Sequence, residues 1–278
     1  MTETDSTISL GDITAFIEKI VSESSLNRLN TIDGGLIFDA PLIGVANGRD
    51  PLFHDYKQTI GDFHLTPVEA LRKMAEVDRY RGNVEDIAVV CWALPFASRI
   101  RESNAMKNDL PASSLWSSGQ EFGEKFNDHL RERVVEFFKN KGFLAIAPMR
   151  SPFYVRFGRY ATNWSERHAL YAAGMGTFGL SRWFITERGV AMRCGSVVVN
   201  ARLTPTPRRY TSHTENCLYY SIGTCSKCID RCPAKAITVD GLNKAKCREF
   251  LDLHAKVEGC GLCQTGVPCE AQIPAVRA

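Results

Sequence analysis

Eight of the chain's ten cysteines fall between residues 217 and 269. They are Cys217, Cys225, Cys228, Cys232, Cys247, Cys260, Cys263 and Cys269, and Pro233 directly follows the fourth. Cysteines at this density and spacing are metal ligands. Cys225, Cys228 and Cys232-Pro233 reproduce the end of a C-x2-C-x2-C-x3-C-P run, whose first three thiolates grip one [4Fe-4S] cube while the one before proline turns to a second. Two such cubes take eight thiolates. The partition that follows gives Cys217, Cys225, Cys228 and Cys269 to cluster one, and Cys232, Cys247, Cys260 and Cys263 to cluster two. Two zinc ions with four cysteines each would also use all eight. Tetrahedral zinc, however, has no use for a cysteine spaced to serve a neighbouring site. One spacing departs from the run: seven residues separate Cys217 from Cys225, and Ile222 stands where a regular motif has cysteine. Cluster one is therefore expected to have a looped-out ligand or one labile iron.

Other residues could do chemistry upstream. Gly174-Met175-Gly176-Thr177-Phe178-Gly179 matches G-x-G-x-x-G, but a dinucleotide turn needs a strand before it and a helix opening inside it. This run follows a predicted helix, so a nucleotide is the lesser reading, and a helix C-cap with a tight turn accounts for the same glycines. Ser165-Glu166-Arg167-His168 sets a capping residue, an acid and two potential cations in one helical turn. Ser165 and His168 share a face, and an imidazole titrates near physiological pH, which suits a proton relay or substrate ligand. The alternative is a serine cap, a dipole-favoured Glu166 and a packed histidine. Cys91 lies in an apolar run and reads as inert core. Cys194, beside Arg193 and Gly195, is the better candidate for a reactive thiol or substitute ligand.

These groups need a scaffold, and the first 200 residues supply helix and strand signals in alternation. Ile13, Phe16, Ile17, Ile20 and Val21 predict an amphipathic helix within 11–29. Thr66-Pro67-Val68-Glu69 is a capping box with proline at the first helical position, opening a helix to about Tyr80. Ile87 to Leu94 predicts a buried strand. Phe122, Phe126, Leu130, Val134, Phe137 and Phe138 predict a helix stopped by Gly142. Further strands are expected at 143–147 and 196–200, with a helix over 165–173 between them. A polar, proline-bearing stretch at 204–214 marks a boundary, giving an α/β core over 1–204 and a cysteine-rich unit over 205–278.

Composition fits this reading. At 278 residues and 44% hydrophobic, the chain is long enough to bury a full core. The polar, acidic N-terminus has neither the basic start nor the apolar stretch of a signal peptide, and no window approaches the ~18 apolar residues that cross a bilayer. A cytoplasmic location and no membrane partner are expected, with cysteines kept reduced. The formal charge of +3 counts the cysteines as neutral thiols. Loaded with two oxidised cubes, the chain would sit near ~−1, so the basic excess that might suggest nucleic acid largely vanishes.

The stretch from Glu166 to Ser196 resembles E-x-A-G-L-G-x-x-G-x-x-x-x-L-I-x-P-x-x-G, the segment preceding the ferredoxin module in epoxyqueuosine reductases and reductive dehalogenases. Trp116-Ser117-Ser118-Gly119-Gln120-Glu121-Phe122 is similar to that family's Y-A-x-G-x-D-Y, and the eight cysteines follow in the family's order. The resemblance implies an α/β fold with a mixed sheet, helices on its faces and a corrinoid-binding core, then a bacterial two-[4Fe-4S] ferredoxin-like domain. It makes Gly174, Gly176, Thr177, Gly179 and Leu180 the candidates for close approach to a cobalamin corrin face. Counted without gaps from Gly174, Tyr160 falls where epoxyqueuosine reductases carry their catalytic aspartate, and reductive dehalogenases use tyrosine as proton donor. Tyr160 is thus the first candidate acid, with His168 and Glu166 behind it. His54 and His64 are the histidines that could offer cobalt a lower ligand, although the family generally leaves that face without one. The C-terminal helical repeats with which epoxyqueuosine reductases hold transfer RNA are missing, so a short form is expected. Its substrate would be a small organic molecule, transfer RNA would not be a partner, and ferredoxin or flavodoxin would be the electron donor. The function implied is an iron-sulfur reductase passing electrons through both clusters to a corrinoid; the alternative is a corrinoid-free electron-transfer or activating protein.

Overall fold

The structure is a computed structural model, and it describes residues 8–108, 112–158, 160–254 and 259–275. The first half runs α1 (Leu10–Glu23), β1 (Leu42–Asn47), α2 (Leu52–Ile60), α3 (Pro67–Val77), β2 (Ala88–Pro95), α4 (Ser98–Ala105) and α5 (Ser114–Lys139). Next come β3 (Ala145–Ile146), β4 (Arg156–Phe157), β5 (Ala161–Thr162), α6 (Glu166–Ala172), β6 (Gly176–Phe178), β7 (Phe184–Thr186) and β8 (Met192–Val199). The cysteine segment carries α7 (Leu218–Ile222), α8 (Lys227–Asp230), β9 (Ile237–Thr238), β10 (Gly241–Leu242) and α9 (Lys244–His254).

Every residue of β2 is buried. Side chains alternate across a strand, and here both faces are covered. Ala88, Val90, Trp92 and Leu94 join one core with Ile13 and Ile17 of α1 and Phe126, Leu130 and Val134 of α5. Val89, Cys91 and Ala93 join the opposite core with Phe53 and Tyr56 of α2, Leu71 of α3 and Ala169 and Leu170 of α6. The result is a sheet between two helical layers.

The sheet order is β1-β2-β8-β3, and each neighbouring pair is antiparallel. A mixed sheet was expected, and the difference has a simple origin. β2 and β3 run the same way, joined through α4 and α5, but β8 inserts between them and pairs antiparallel with both. The capping box at Thr66 and Glu69 is formed as the sequence predicts, with reciprocal bonds of 3.2 and 2.8 Å. α1 ends earlier than its periodicity suggests, at Glu23, because Asn27 turns inward and donates to Val21 O and Phe38 O. No helix of the described residues is long and apolar enough to cross a membrane.

The cysteine segment is sewn to the core through backbone groups. Val190 N donates to Cys269 O at 2.8 Å, Ala191 N to Glu270 O at 3.1 Å, and Phe178 N to His213 O at 2.7 Å. Trp116 Nε1 donates to Gly259 O at 3.2 Å, Asn104 Nδ2 to Cys260 O at 3.1 Å, and Arg231 Nε to Leu262 O at 3.0 Å. Contact is close enough at Gly261 (φ +65°) that a Cβ there would lie 2.0 Å from the Trp116 ring. The side chain of Arg101 adds an ion pair to Glu270 at 3.1 Å.

Candidate metal centre and adjoining cleft

The eight thiols lie close enough together to shift one another. Burial raises the Cys269 thiol to about 12, with further upward push from Cys217, Cys228 and Cys225. Cys228 is likewise raised to about 12 by burial and then by Cys217 and Cys225. In the second group, burial and then Cys260 and Cys232 raise Cys247 to about 11, and Cys263 is raised by burial, by Cys260, Cys232 and Cys247, and by Cys228 of the first group. The two groups adjoin at Cys228 and Cys263. Cys217, Cys225, Cys228 and Cys269 line one cavity together with Leu218, Tyr219 and Val267. No group of three or more His, Cys, Asp or Glu among the described residues is gathered closely enough for one ion; the first quartet rings a space instead. Thiolate-rich, partly buried sites are what a [4Fe-4S] cube requires.

Local folding explains the irregular spacing before Cys225. Cys217 caps α7, whose single helical turn ends at Gly223 in the left-handed region (φ +71°), with Gly223 N donating to Tyr219 O. The extra residues are taken up by this turn, and Ile222 points outward at 45% exposure. Cys217 thereby reaches the quartet without a cysteine at 222. At the second quartet, Ala236 N donates to Cys232 Sγ at 3.3 Å.

A second, open cleft of ≈ 260 Å³ lies in the core, with Gln264 of the cysteine segment completing its wall. Its wall includes Trp164, Ser165, Glu166, Trp183, Cys194 and Gln264. Two of these tie it to the cysteines: Gln264 follows Cys263, and Trp183 packs in the same cluster as Cys228 and Cys269. Arg167 lies over the Trp183 ring at 5.1 Å and donates to Arg182 O at 2.7 Å.

Glu166 is fully committed. Its Oε1 accepts from Arg131 Nε and Ser196 N, both at 3.0 Å, and its Oε2 from Arg131 Nη2 at 2.7 Å. Burial raises the carboxyl while the guanidinium fork opposes it. With both oxygens occupied, Glu166 is a positioning group for the cleft wall and not the acid the sequence suggested. Its partner Arg131, 1% exposed, escaped the sequence reading. The signal was there: Asn127 and Arg131 stand four apart on the apolar face of α5 with Phe126, Leu130 and Val134, and a charge in such a stripe demands a buried partner.

Ser165 does not cap α6. Its Oγ lies 2.7 Å from His168 Nδ1 instead. His168 is gripped by Tyr56 and Phe178, with ring centroids at 4.8 and 4.9 Å, and Tyr56 Oη donates to its carbonyl. Burial, then Arg167 and His64, push its pKa down to about 3, so the imidazole is neutral through the physiological range and does not titrate there as expected from sequence. Tyr160 is 44% exposed on the turn between β4 and β5, outside the cleft wall, and its carbonyl accepts from Lys244 Nζ at 3.4 Å. Cys194 lines the cleft, but burial first, then Glu166, raises its thiol to about 12, which disfavours the thiolate a reactive cysteine needs. It stands among Glu166, Arg167 and Arg131, apart from either quartet.

The five residues assigned to a corrinoid do not fit that role. A Cβ on Gly176 would meet Ile185 O at 2.2 Å, one on Gly174 would meet Pro207 O at 2.6 Å, and one on Gly179 would touch Ile185 at 3.2 Å. Gly174 and Gly176 admit protein backbone, and Gly179 the side chain of Ile185. Thr177 and Leu180 are 0% and 1% exposed, Thr177 Oγ1 accepts from Asn216 N, and none of the five lines the cleft. Gly179 and Leu180 wall the cavity of the first quartet instead. The run is strand β6 of a hairpin with β7, which also removes the dinucleotide turn. Of the two histidines considered for cobalt, His54 is exposed on α2. His64 is 1% exposed, stacked with Trp164 at 6.0 Å, and neither ring nitrogen has a hydrogen-bond partner.

Neither a protein-family model nor a curated protein matches the chain. Solved structures do. An epoxyqueuosine reductase labelled with selenomethionine is similar at 18% identity and a TM-score of 0.46, and the Bacillus subtilis epoxyqueuosine reductase, its catalytic loop swung out of the active site, at 19% and 0.46. A third, epoxyqueuosine reductase with an epoxyqueuosine-modified tRNA-Tyr stem loop, is similar at 18% and 0.47. Each comparison covers 84% of this chain and 62% of the other, so this chain spans less than two thirds of their length. These three structures bear the first of the two names given by the glycine segment. The third also overturns one expectation: with a transfer-RNA stem loop bound to such a protein, the exclusion of transfer RNA as a partner is withdrawn.

Proposed function

We propose that this chain is an iron-sulfur oxidoreductase that reduces a substrate held in the core cleft whose wall Gln264 of the cysteine segment completes. The observation that supports the reading is the cavity lined by Cys217, Cys225, Cys228 and Cys269, with Trp183 packed beside these cysteines and also lining the cleft. Cys217, Cys225, Cys228 and Cys269 would hold one [4Fe-4S] cluster and Cys232, Cys247, Cys260 and Cys263 the other. Bound there, the clusters supply electrons one at a time.

The chain's own residues do the rest. Trp183, half-buried in the wall, offers a flat apolar face on which a planar group can lie. The Arg131–Glu166 pair fixes the same wall. Ser165 lines the cleft with an exchangeable hydroxyl proton, and His168, neutral, orients it through the 2.7 Å contact at Nδ1. Because the residues named for a corrinoid are committed to protein contacts, the reading includes no step through one.

Anaerobic reconstitution tests the centre. About eight irons and eight acid-labile sulfides per chain are expected; two zinc ions without sulfide would overturn the reading. Single-turnover reduction should then be offered an epoxyqueuosine-modified RNA stem loop and the free modified nucleoside side by side. Ser165→Ala should slow whichever is reduced by about 10²-fold or more while leaving the cluster spectrum intact. Titration with cob(II)alamin should give no base-off spectrum; a saturable one would restore the corrinoid.

A further inference from the structure

Arg131, Arg167 and Arg193 all stand in the wall of the cleft, and only two of them are neutralised. Arg131 pairs with Glu166 at 2.7 Å, Glu124 at 2.9 Å and Asp128 at 2.7 Å, and Arg193 pairs with Glu124 at 3.0 Å. These contacts use up the acids. Both oxygens of Glu166 face Arg131, those of Glu124 are divided between Arg131 and Arg193, and those of Asp128 between Arg131 and Arg150. Arg167, half-buried, pairs with no carboxylate among the described residues. One of its N–H groups donates to Arg182 O at 2.7 Å, and its guanidinium lies over the Trp183 ring at 5.1 Å. Burial holds it below its ordinary value and Arg182 adds to this, while the group acting the other way is Cys194, a thiol raised to about 12 and so uncharged.

Two further cations stand beside Arg167. Lys244 Nζ donates to Tyr160 O at 3.4 Å, on the β4–β5 hairpin whose Thr162 lines the cleft. Arg182 is held at φ +60°, an uncommon conformation for a residue with a Cβ, by its own N–H to Gly179 O at 2.8 Å and by the bond from Arg167 to its carbonyl. Burial, then Arg167 and Arg182, lower Lys244, and burial, then Arg167, His64, Lys244 and His213, lower His168. Every charged neighbour that shifts these two groups is thus a cation. The exposed acids of the adjoining segments are placed otherwise: Glu215 accepts from Thr211 and Ser212, Asp252 pairs with Arg248, and Glu187, Asp230, Asp240 and Glu249 pair with none of Arg167, Arg182 and Lys244. Cations gathered in this way repel one another, and a ligand that brings the missing negative charge relieves the repulsion.

We propose that the cleft recognises its substrate through a phosphate monoester, bound by the Arg167 guanidinium in the wall and charge-matched by Arg182 and Lys244 at the rim. The inference deepens the reading above and rests on it for the cleft being the substrate site. A guanidinium presents a planar fork of donors that fits phosphate oxygens, and stacking on Trp183 holds the fork in one orientation. A carboxylate would cancel one charge of the group, whereas a phosphate monoester brings about −1.5 to −2 at pH 7. The phosphate is a handle: no bond to it is made or broken, and it anchors one end of the molecule within the wall that also carries Ser165.

The test uses the reconstituted holoprotein and phenyl phosphate as the probe, with benzyl alcohol and benzylamine as neutral and cationic controls, all measured by calorimetry. Phenyl phosphate should bind saturably and be displaced by inorganic phosphate, and the two controls should bind at least about tenfold more weakly. Arg167→Gln should weaken phenyl phosphate by about tenfold or more, and Arg167→Lys, which keeps the charge and loses the fork, by less. Arg182→Asn, which tolerates the left-handed backbone, and Lys244→Ala should each cost about threefold. The cluster spectrum is expected to be unchanged in all four. Equal binding of the three probes by the wild type overturns the proposal whether or not Arg167→Gln folds, and so does a phenyl phosphate Kd that ignores all four substitutions. An RNA stem loop that loses affinity in these variants while phenyl phosphate fails to bind also overturns it, and gives the cations to a phosphodiester backbone. Phenyl phosphate binding with no dithionite-bleachable cluster sinks the iron-sulfur reading and keeps the anion site; a bleachable cluster without phosphate binding does the reverse.

Discussion

The sheet core and the cysteine segment are built on different physics. β2 is buried along its whole length, and both of its faces meet helices. α7, α8 and α9 bury no residue at all, and the apolar cluster on that side is small: Leu180, Ile185, Val190, Cys217, Ile237 and Val267. A region that removes so little apolar surface from water gains little from the hydrophobic effect. It is held by backbone bonds along the seam and, on the reading given above, by metal. The core should therefore be indifferent to the state of the cysteines, and the segment should not.

Metal removal is the strongest way to break that contrast. Structural metal sites contribute on the order of 10 kcal/mol to the parts they organise. Oxidative removal of the clusters followed by chelation should make residues 217–269 sensitive to protease and fast in amide exchange, while β2 remains protected. Equal protection of the segment with and without metal would show that the seam alone suffices.

The next largest effect lies wholly within the core. Glu166→Ala removes the bidentate partner of Arg131, which is 1% exposed and keeps ion pairs to Glu124 at 2.9 Å and Asp128 at 2.7 Å, so the cost is expected at about 3 kcal/mol, the low end for breaking a buried pair. Denaturant midpoints should fall accordingly, with iron content unchanged. Replacing the pair together, Arg131→Met with Glu166→Leu, should recover most of the loss. If the single substitution is nearly neutral, the pair is solvated and the cleft wall is softer than its geometry indicates.

The contrast also explains what was legible beforehand. The cysteine partition is a proposal from metal chemistry, which fixes ligand type and spacing, and the α7 turn takes up the seven-residue gap. The strand 88–95 and the helix after Thr66 could be read because burial and capping leave local signals. β1, α2 and the antiparallel order could not: Leu42–Asn47 is six residues with no clear alternation, and the insertion of β8 between β2 and β3 is a long-range choice. The glycine run misled in a specific way. Gly174 and Gly176 do serve close backbone approach, but the backbone approaching is that of Pro207 and Ile185.

Acid offers a third test, on the core side. His64 is fully buried with unpartnered nitrogens, and burial, then Lys57, hold its pKa down at about 4. In the unfolded chain an imidazole titrates near ~6.5, so the unfolded state binds the proton first as pH falls. Stability due to this group is intact above ~6.5 and is lost on the way down to about 4, roughly 3 kcal/mol in all. His64→Phe should flatten that part of the pH profile. An unchanged profile would mean that a water or ligand partners the ring.

The smallest effect is the cleanest test of independence. Thr66 caps α3 from the side of the core where α2 and α3 lie: its hydroxyl accepts from Glu69 N at 3.2 Å, and its own N–H donates to Glu69 Oε2 at 2.8 Å. Thr66→Ala removes one half of this box and should cost about 1 kcal/mol. The loss is expected in the core transition alone, with iron and sulfide content and protease resistance of 217–269 unchanged. The reasoning is that a cap acts on its own helix, and α3 packs on the sheet face with Leu71 in the second core, not on the cysteine segment. Were this slight loss to loosen the segment in step with the core, the two regions would unfold as one cooperative unit, and the seam bonds at Trp116, Asn104 and Arg231 would have to couple them far more tightly than their number suggests.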